Sequence, residues 1–342
     1  MKILITGGAG FVGMNASKRF LSEGHSVIVV DDFSRPSSRS NAARLQACKN
    51  VLIEHLDVRD FSGIHALCAA NRDLGAVIHC AAQVAVTDSL KNPRHDCSVN
   101  ILGTVNVLDA MRTNGIAVPF ILTSTNKVYG PLPELKVAEE TSRFQLLSDY
   151  ATGISEDQVP NPVTPYACSK LSAEYYALDY CRIWRIPAVV LRQSCIYGPY
   201  QLGTEDQGWV AWLMLACHAK KSVSIYGSGK QVRDLLFIDD LVDLFEILIH
   251  QGTDVAGHVF NVGGGPGATI SVLELLTYLS HYCPEDVSRR FCAPRPGDQL
   301  VYVSNIERVH ARLGWQPKIK LAEGLDRAWQ WIQRSSSRER AS

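Results

Sequence analysis

Net charge is the first thing this sequence lacks. Its 342 residues carry 34 Lys and Arg against 34 Asp and Glu, for a formal charge of +0. A neutral chain has no electrostatic pull on a phosphodiester backbone. No basic run or interleaving of aromatic and basic residues restores one, so nucleic acid is excluded as a partner. Long apolar runs are also missing. No stretch approaches the roughly 20 residues of a membrane-spanning helix, so no membrane partner is expected. The chain starts on the strand pattern "MKILITGG", and neither a signal nor a transit peptide is expected. Paired cysteines are the third absence. The ten cysteines, from Cys48 to Cys292, include no CxxC pair and no His/Cys ligand spacing. They read as reduced core thiols of a cytoplasmic protein without a structural metal. There is no internal repeat, and residues 335–342 read as a flexible polar tail.

What is present is apolar material: 46% of the residues, enough for one large domain or two lobes. Short runs rich in Val, Ile and Leu recur, among them "KILIT", "SVIVVDD", "AVIHCAA", "FILTS" and "AVVLRQS". They are continuous rather than alternating, which indicates strands covered on both faces, as in a parallel sheet. Helical patterns lie between them. In the first, Val12, Ala16 and Phe20 share a face and Gly24 suits the position after the helix. Alternation of this kind gives an α/β fold of Rossmann type, a doubly wound parallel sheet. Beyond about Leu191 the rhythm breaks. The expected division is residues 1–191 plus 232–264 in the Rossmann domain. Residues 192–231 plus 265–334 form a smaller C-terminal substrate-binding lobe.

"TGGAGFVG" follows the first strand and opens a helix. Gly7 permits the tight turn, Gly10 lets a diphosphate approach the backbone, and Gly13 allows helix and sheet to pack closely. Phe11 and Val12 lie on the same turn, at a helix N-terminus that favours an anion. About twenty residues on, the second strand ends in Asp31 and Asp32, as a ribose-binding carboxylate should. A carboxylate there repels a 2′-phosphate, which favours NAD over NADP. Arg35 and Arg39 keep NADP open as the alternative, and a turn or cap residue is the plain alternative for Asp31. Asp57, ending the third strand, could reach the adenine with Val58. His79 has no partner at metal spacing and reads as a satisfied buried histidine.

"PYACSKLSAEYYALDY" puts Tyr166 and Lys170 four apart, on one helical face. A phenol with a reference pKa of about 10 needs a cation beside it to act as a base near neutrality. Alone, this spacing is a common accident on helices. Behind a glycine-rich strand–helix entry, and with "STNKVYG" upstream, it is far more specific. With these pieces, and with "HCAAQ", "VNILGTVNVLDA", "LRQSCIYGP", "GKQVRD", "FNVGG" and "RPGD" in order, the chain resembles the extended short-chain dehydrogenase/reductases of the nucleotide-sugar epimerase/dehydratase family. The resemblance implies Thr125, Tyr166 and Lys170 as the catalytic set. It implies Ala81, Ala82, Gln83, Asn100 and Ser124 beside the cofactor, and Arg233 and Arg295 on the diphosphate of the sugar nucleotide. Surface ion pairs are the plain alternative for the two arginines.

The pair after Thr125 narrows the reaction. In the family's 4,6-dehydratases these two positions are typically Asp-Glu, the acid and base that elimination requires. This chain has Asn126 and Lys127. An amide cannot exchange a proton usefully, and a lysine base would need strong desolvation. Dehydration is therefore disfavoured and epimerisation favoured. Within the family, "STNKVYG", "AAQVAVTDS", "TPYACSK" and "YQLGTEDQGWVAW" most resemble the CDP-tyvelose (CDP-paratose) 2-epimerases. That resemblance implies oxidation at C2 of a CDP-hexose, a 2-keto intermediate and return of the same hydride. Gln83, Thr125, Asn126 and Lys127 would line the sugar, with Cys195, Gln207 and Trp209 also at the substrate. A structural ion pair is the alternative for Lys127, and core filling for Trp209. The long 131–165 segment can act as a lid or as a wall for the sugar. Homodimerisation through helices near Val99–Arg112 and Ala167–Ile183 is also implied. The competing readings are a 4-epimerase, a dehydratase or decarboxylase of the same family, and an NAD-sensing protein without turnover.

Overall fold

The structure, a computed structural model, describes residues 1–147, 150–283 and 288–339, with side chains as far as Ser335. The strands are β1 (Lys2–Thr6), β2 (Ser26–Asp31), β3 (Val51–His55), β4 (Leu74–His79), β5 (Phe120–Thr125), β6 (Val137–Glu139), β7 (Phe144–Leu146), β8 (Ala188–Gln193), β9 (Cys195–Tyr197), β10 (Val223–Tyr226), β11 (Val232–Phe237), β12 (Val259–Val262), β13 (Thr269–Ser271), β14 (Arg289–Cys292) and β15 (Val301–Tyr302). The helices are α1 (Phe11–Ser22), α2 (Pro36–Leu45), α3 (Phe61–Ala70), α4 (Val86–Lys91), α5 (Pro93–Cys97), α6 (Gly103–Thr113), α7 (Pro165–Trp184), α8 (Trp209–His218), α9 (Ile238–Gln251), α10 (Val272–Leu279), α11 (Glu307–Leu313) and α12 (Leu321–Glu339). Among the described residues no helix is long and apolar enough to cross a membrane.

The chain forms two compact units. The first comprises Met1–Val128, Thr164–Arg192 and Leu241–Phe260. Its sheet runs β12-β8-β5-β4-β1-β2-β3. β1 pairs in parallel with β2 and β4, β2 with β3, and β4 with β5. Every residue of β5 and β8 is buried, which is why these strands read as unbroken apolar runs. Leu4, Val77, Phe120 and Val190 from the sheet share one core with Val107, Met111 and Ala177 from α6 and α7. α1 ends as its sequence indicates. Gly24 takes φ +86°, its N–H donates to Leu21 O, and the N–H of His25 donates to Phe20 O. Strand order reverses between β1 and β4. The crevice outside their carboxyl ends is where an open α/β sheet binds its ligand.

The second unit comprises Tyr129–Val163, Gln193–Asp240 and Asn261–Ser342. In it β11 lies between β13 and β15 and also pairs with β9. β6 and β7 form a hairpin, and β10 pairs with β14. This division departs from the expected boundaries. Residues 129–163 fall in the second unit because their backbone is tied there: Phe144 N–H to Lys230 O, and Ile154 N–H to Val303 O at 2.8 Å. β11 belongs there too, because its partners are β9, β13 and β15. α12 continues to Glu339, into the stretch expected to be a flexible tail, whose residues 340–342 lie outside the described residues. The expectation of core thiols needs correction as well. Among the described residues no cysteine forms a disulfide, yet only Cys68 and Cys217 are buried, while Cys48, Cys97 and Cys168 are exposed.

Candidate active site

The glycine turn is built for contact with backbone. Gly7 has φ +63°, and a Cβ there would stand 2.7 Å from Ala81 N. A Cβ on Gly13 would stand 2.2 Å from Gly7 O, so only glycine lets α1 start this close to β1. A Cβ on Gly10 would meet nothing nearer than Gly7 O at 3.1 Å, so this residue faces the open side of the turn. Gly10 caps α1 without a side-chain hydrogen bond. The first N–H groups of the helix, at Phe11 and Val12, are therefore available to an anion. These features fit a dinucleotide diphosphate.

At the end of β2, buried Asp31 accepts the N–H of Ala9 at 3.1 Å on one oxygen and that of Phe33 at 3.0 Å on the other. Burial raises its pKa, and these two N–H groups pull it back down. A carboxylate has about four acceptor sites, and with the Ser38 hydroxyl also bonded about one remains for a ribose hydroxyl. Asp32 is exposed and accepts from the Ser34 N–H and hydroxyl. Arg35 lies within the field of Asp88, Asp31 and Asp32, whose carboxylates oppose a 2′-phosphate there. Arg39 is exposed and donates to Phe33 O. Asp57 is less free than expected. Arg59 holds it through its backbone N–H at 2.8 Å and its guanidinium, and the pKa of Asp57 is lowered by that pairing. An adenine amino group would share this carboxylate with Arg59. Val58 is buried against Gly103.

Local sequence positions Tyr166 and Lys170. Thr164 caps α7 by accepting from Ala167 N–H, and Pro165 takes the first helical position. Tyr166 thus lies in the first turn and Lys170 one turn on. Burial pushes the phenol up to about 12, the Thr125 hydroxyl hydrogen-bonded to it pulls the other way, and the charges of Asp96 and Arg35 act with opposite signs. Lys170 donates its Nζ to Thr123 O at 2.6 Å. A buried ammonium bonds the nearest carbonyl. Burial lowers it to about 8, and the Glu174 carboxylate does most to support its charge. Thr125 ends β5, and its oxygen accepts the Lys127 N–H at 3.2 Å. Asn126 is buried beside it and Lys127 is half-buried.

Asn100 is the hub of the site. It lies in a π-helical turn, Ser98–Leu102, that leads into α6. Its oxygen accepts from Gln83 N–H at 2.9 Å, and its amide reaches Gln83 O, Asp96 Oδ1 and Ser169 Oγ. The backbone of "HCAAQ" is thereby fixed between Gly7, which packs on Ala81, and Asn100, which holds Gln83, with Ala82 between them. Behind it, His79 is fully buried and satisfied. Thr104 donates its hydroxyl to Asn100 O, so it accepts from His79 Nε2, and Thr6 donates to His79 Nδ1 at 2.7 Å. Burial drops the His79 pKa to about 3, so the ring is neutral.

Three participants were missed in the sequence. Ser124, expected at the cofactor, donates into the interior, to Glu174 Oε1. Glu174 is also gripped by Arg192 through Nε at 3.0 Å and Nη2 at 2.8 Å. Glu174 stands four residues after Lys170, and that spacing was a usable signal. Asp96, fully buried at Asn100, gave none.

The second unit pairs Trp209 with Cys195 and sets Arg295 and Arg233 in two clusters that Asp298 links. Trp209 Nε1 donates to Cys195 Sγ at 3.4 Å. Arg295 lies over the Tyr226 ring at 4.0 Å and donates to Glu205 O at 2.6 Å, two residues before Gln207. Tyr226 donates to the Glu205 carboxylate at 2.8 Å. Asp298 joins this cluster to the second. It donates its N–H to Arg295 O and pairs with buried Arg233 at 2.6 Å. "GKQVRD" and "RPGD" therefore meet, with each arginine already engaged by a carboxylate or carbonyl.

Comparison with known proteins gives consistent matches. The model of the NAD dependent epimerase/dehydratase family matches residues 3–263. The CDP-paratose 2-epimerase of Salmonella typhi is 36% identical over 97% of this chain and 99% of its own length. The UDP-glucose 4-epimerase of Mycolicibacterium smegmatis is 32% identical over 98% and 100%. The crystal structure of UDP-glucuronic acid 4-epimerase from Bacillus cereus, in complex with UDP-glucuronic acid and NAD, is 27% identical. It superposes with a TM-score of 0.83 over 98% of this chain and all of that one.

Proposed function

The chain belongs to the NAD-dependent epimerase/dehydratase family, and on that premise we propose that it inverts C2 of a CDP-hexose of the paratose or tyvelose type through a transient 2-keto sugar. The observation that carries this is the end of β5. Thr125, hydrogen-bonded to the Tyr166 phenol, is followed by Asn126 and Lys127, where elimination would need a carboxylic acid–base pair. The 36% identity to a CDP-paratose 2-epimerase supports C2 and a CDP-sugar. Similarity to a UDP-glucose 4-epimerase keeps inversion at C4 as the second reading.

NAD, when bound, supplies the acceptor and donor of a hydride at the sugar carbon. Gly7, Gly10 and Gly13 and the N-terminus of α1 hold its diphosphate, Asp31 and Asp32 its ribose side, and Asn100 the loop from Ala81 to Gln83 beside it. Tyr166 takes the proton of the sugar hydroxyl and later returns it. Thr125 hydrogen-bonds the reacting oxygen. Lys170 holds the phenolate, which requires its ammonium to leave Thr123 O. Gln83, Asn126 and Lys127 donate to sugar hydroxyls and to the transient ketone. Arg233 and Arg295 suit a diphosphate through their planar forks, and Asp298 must then share Arg233.

We further propose a homodimer in a reducing, cytoplasmic setting. Tyr175, Tyr176, Ile183 and Trp184 of α7 are exposed, as is Leu102 just before α6, so the two helices named in the sequence leave large apolar side chains in solvent. A monomer in light scattering would refute this part.

The reaction is tested by incubation with CDP-, UDP- and GDP-hexoses in heavy water, followed by NMR. An inverted C2 without solvent deuterium is expected, because the same hydride returns. A 4-keto product labelled at C6 would overturn the reading. Full turnover by a Tyr166→Phe variant would overturn the mechanism.

A further inference from the structure

Glu174 and Arg192 form an ion pair that the reaction above does not use. Both side chains are buried, 1% and 8% exposed. Arg192 donates Nε to Glu174 Oε2 at 3.0 Å and Nη2 to the same oxygen at 2.8 Å. A buried pair of this kind stabilises a fold little more than apolar residues of similar size would. Stability alone therefore does not account for it. The second oxygen points elsewhere. Glu174 Oε1 accepts the Ser124 hydroxyl, and Arg192 Nε lies 3.2 Å from it as well. With both oxygens engaged, the carboxylate is held in one orientation and has little capacity left for proton transfer.

The elements around the pair lead to the reacting end of the sheet. Arg192 lies on β8 and Ser124 on β5, which are neighbouring strands. Glu174 lies on α7, one turn after Lys170, on the face that carries Tyr166. Its carboxylate thus ties both strands to the helix near their carboxyl ends. β5 meets α7 at consecutive residues: Thr123 O accepts from Lys170 Nζ at 2.6 Å, and Ser124 donates to Glu174. Thr125, the next residue, carries the hydroxyl that meets the reacting oxygen, and it accepts the Lys127 N–H at 3.2 Å. The two ties differ in one respect. Lys170 must release Thr123 O to hold the phenolate, whereas the tie from Ser124 to Glu174 contains no reacting group.

We propose that Glu174 is a positioning residue: anchored by Arg192, it holds the end of β5 on α7 through Ser124 while Lys170 exchanges Thr123 O for the phenolate. The tie keeps Thr125 in register with the turns of α7 that carry Tyr166 and Lys170 when the other contact is broken. A displacement of about 1 Å at that point costs about a hundredfold in rate, and it does so without removing any contact to cofactor or sugar. The ion pair serves the reaction by aiming a carboxylate oxygen at Ser124, which an apolar pair could not do.

This inference rests on Thr125, Tyr166 and Lys170 being the reacting set, which Tyr166→Phe tests separately. Three variants of the full chain with NAD are compared for kcat, KM and stability to urea. Ser124→Ala leaves the ion pair and removes the tie. Glu174→Leu with Arg192→Leu removes the tie but fills the space with apolar groups. Both should lose at least about tenfold in kcat, with KM and NAD affinity within about twofold of wild type. Glu174→Gln loses the charge, yet its amide can bond Ser124 in either orientation. It should be the least stable of the three and the fastest. A merely structural role requires the reverse, with rate following stability, and that result would overturn the proposal. Hydrogen exchange gives a readout without substrate: the Lys127 amide, held by Thr125, should exchange at least about tenfold faster in Ser124→Ala. An unchanged exchange rate there, or wild-type kcat in Ser124→Ala, would also overturn it. Full turnover by Tyr166→Phe would instead remove the reacting set, and the exchange result would stand apart from it.

Discussion

Replacing Glu174 with alanine would strip a buried guanidinium of its partner. Arg192 and Glu174 have side chains 8% and 1% exposed, joined through Nε at 3.0 Å and Nη2 at 2.8 Å, and Ser124 also donates to the same carboxylate. The variant removes the carboxylate that neutralises Arg192 in a dry site, and with it the acceptor of the Ser124 hydroxyl. Breaking a buried pair from one side costs about 3–5 kcal/mol. With a urea m-value of about 3 kcal/mol per M for a chain of this size, the first unit should unfold at least about 1 M earlier. The sign differs for the double variant. Glu174→Leu with Arg192→Leu removes both charges and fills the site with apolar groups, so much of the loss should be recovered. Tryptophan fluorescence and circular dichroism against urea measure both. A single variant within about 1 kcal/mol of wild type would refute the reasoning. So would a double variant as unstable as the sum of its parts. The single variant also removes the largest charge that supports Lys170, so the Lys170 amine should titrate below its present value of about 8.

Two further outcomes follow from the same geometry. Burial lowers the Lys170 ammonium to about 8, so the cation is present below that pH and lost above it. The rate should therefore fall on the alkaline side with an apparent pKa near 8, and a profile flat well beyond that value would remove Lys170 from the mechanism. Gly13→Ala would set a Cβ 2.2 Å from Gly7 O and 2.5 Å from Gly8 Cα, both backbone atoms that cannot swing away. Opening the turn by that amount costs about 1–3 kcal/mol, so calorimetry should show NAD binding weakened about tenfold to a hundredfold. An unchanged affinity would mean that the turn does not hold the diphosphate.

Much of the first unit was legible because its signals are local. Continuous apolar runs give parallel strands, Gly7, Gly10 and Gly13 mark the turn, and Thr164–Pro165 start the helix that carries Tyr166 and Lys170 on one face. The Asn126–Lys127 pair was readable for the same reason, since identity and position alone deny this stretch an acid–base couple. The sequence could not reveal which side chains turn inward. Ser124 and Thr125 are adjacent on β5, and alternation sends one to Glu174 in the core and the other to the Tyr166 phenol. Lys170 stands at the expected spacing, yet its ammonium bonds Thr123 O, because burial makes a charge take the nearest acceptor. Pairings distant in the chain were likewise fixed only by tertiary structure: β11 with β9, β13 and β15, Arg233 with Asp298, and residues 129–163 with the second unit. Asn100 shows the limit most clearly. Spacing along a chain encodes helices, turns and faces, but the bonds from Asn100 to Gln83 and Ser169 exist only once the π-helical turn and α7 have packed together.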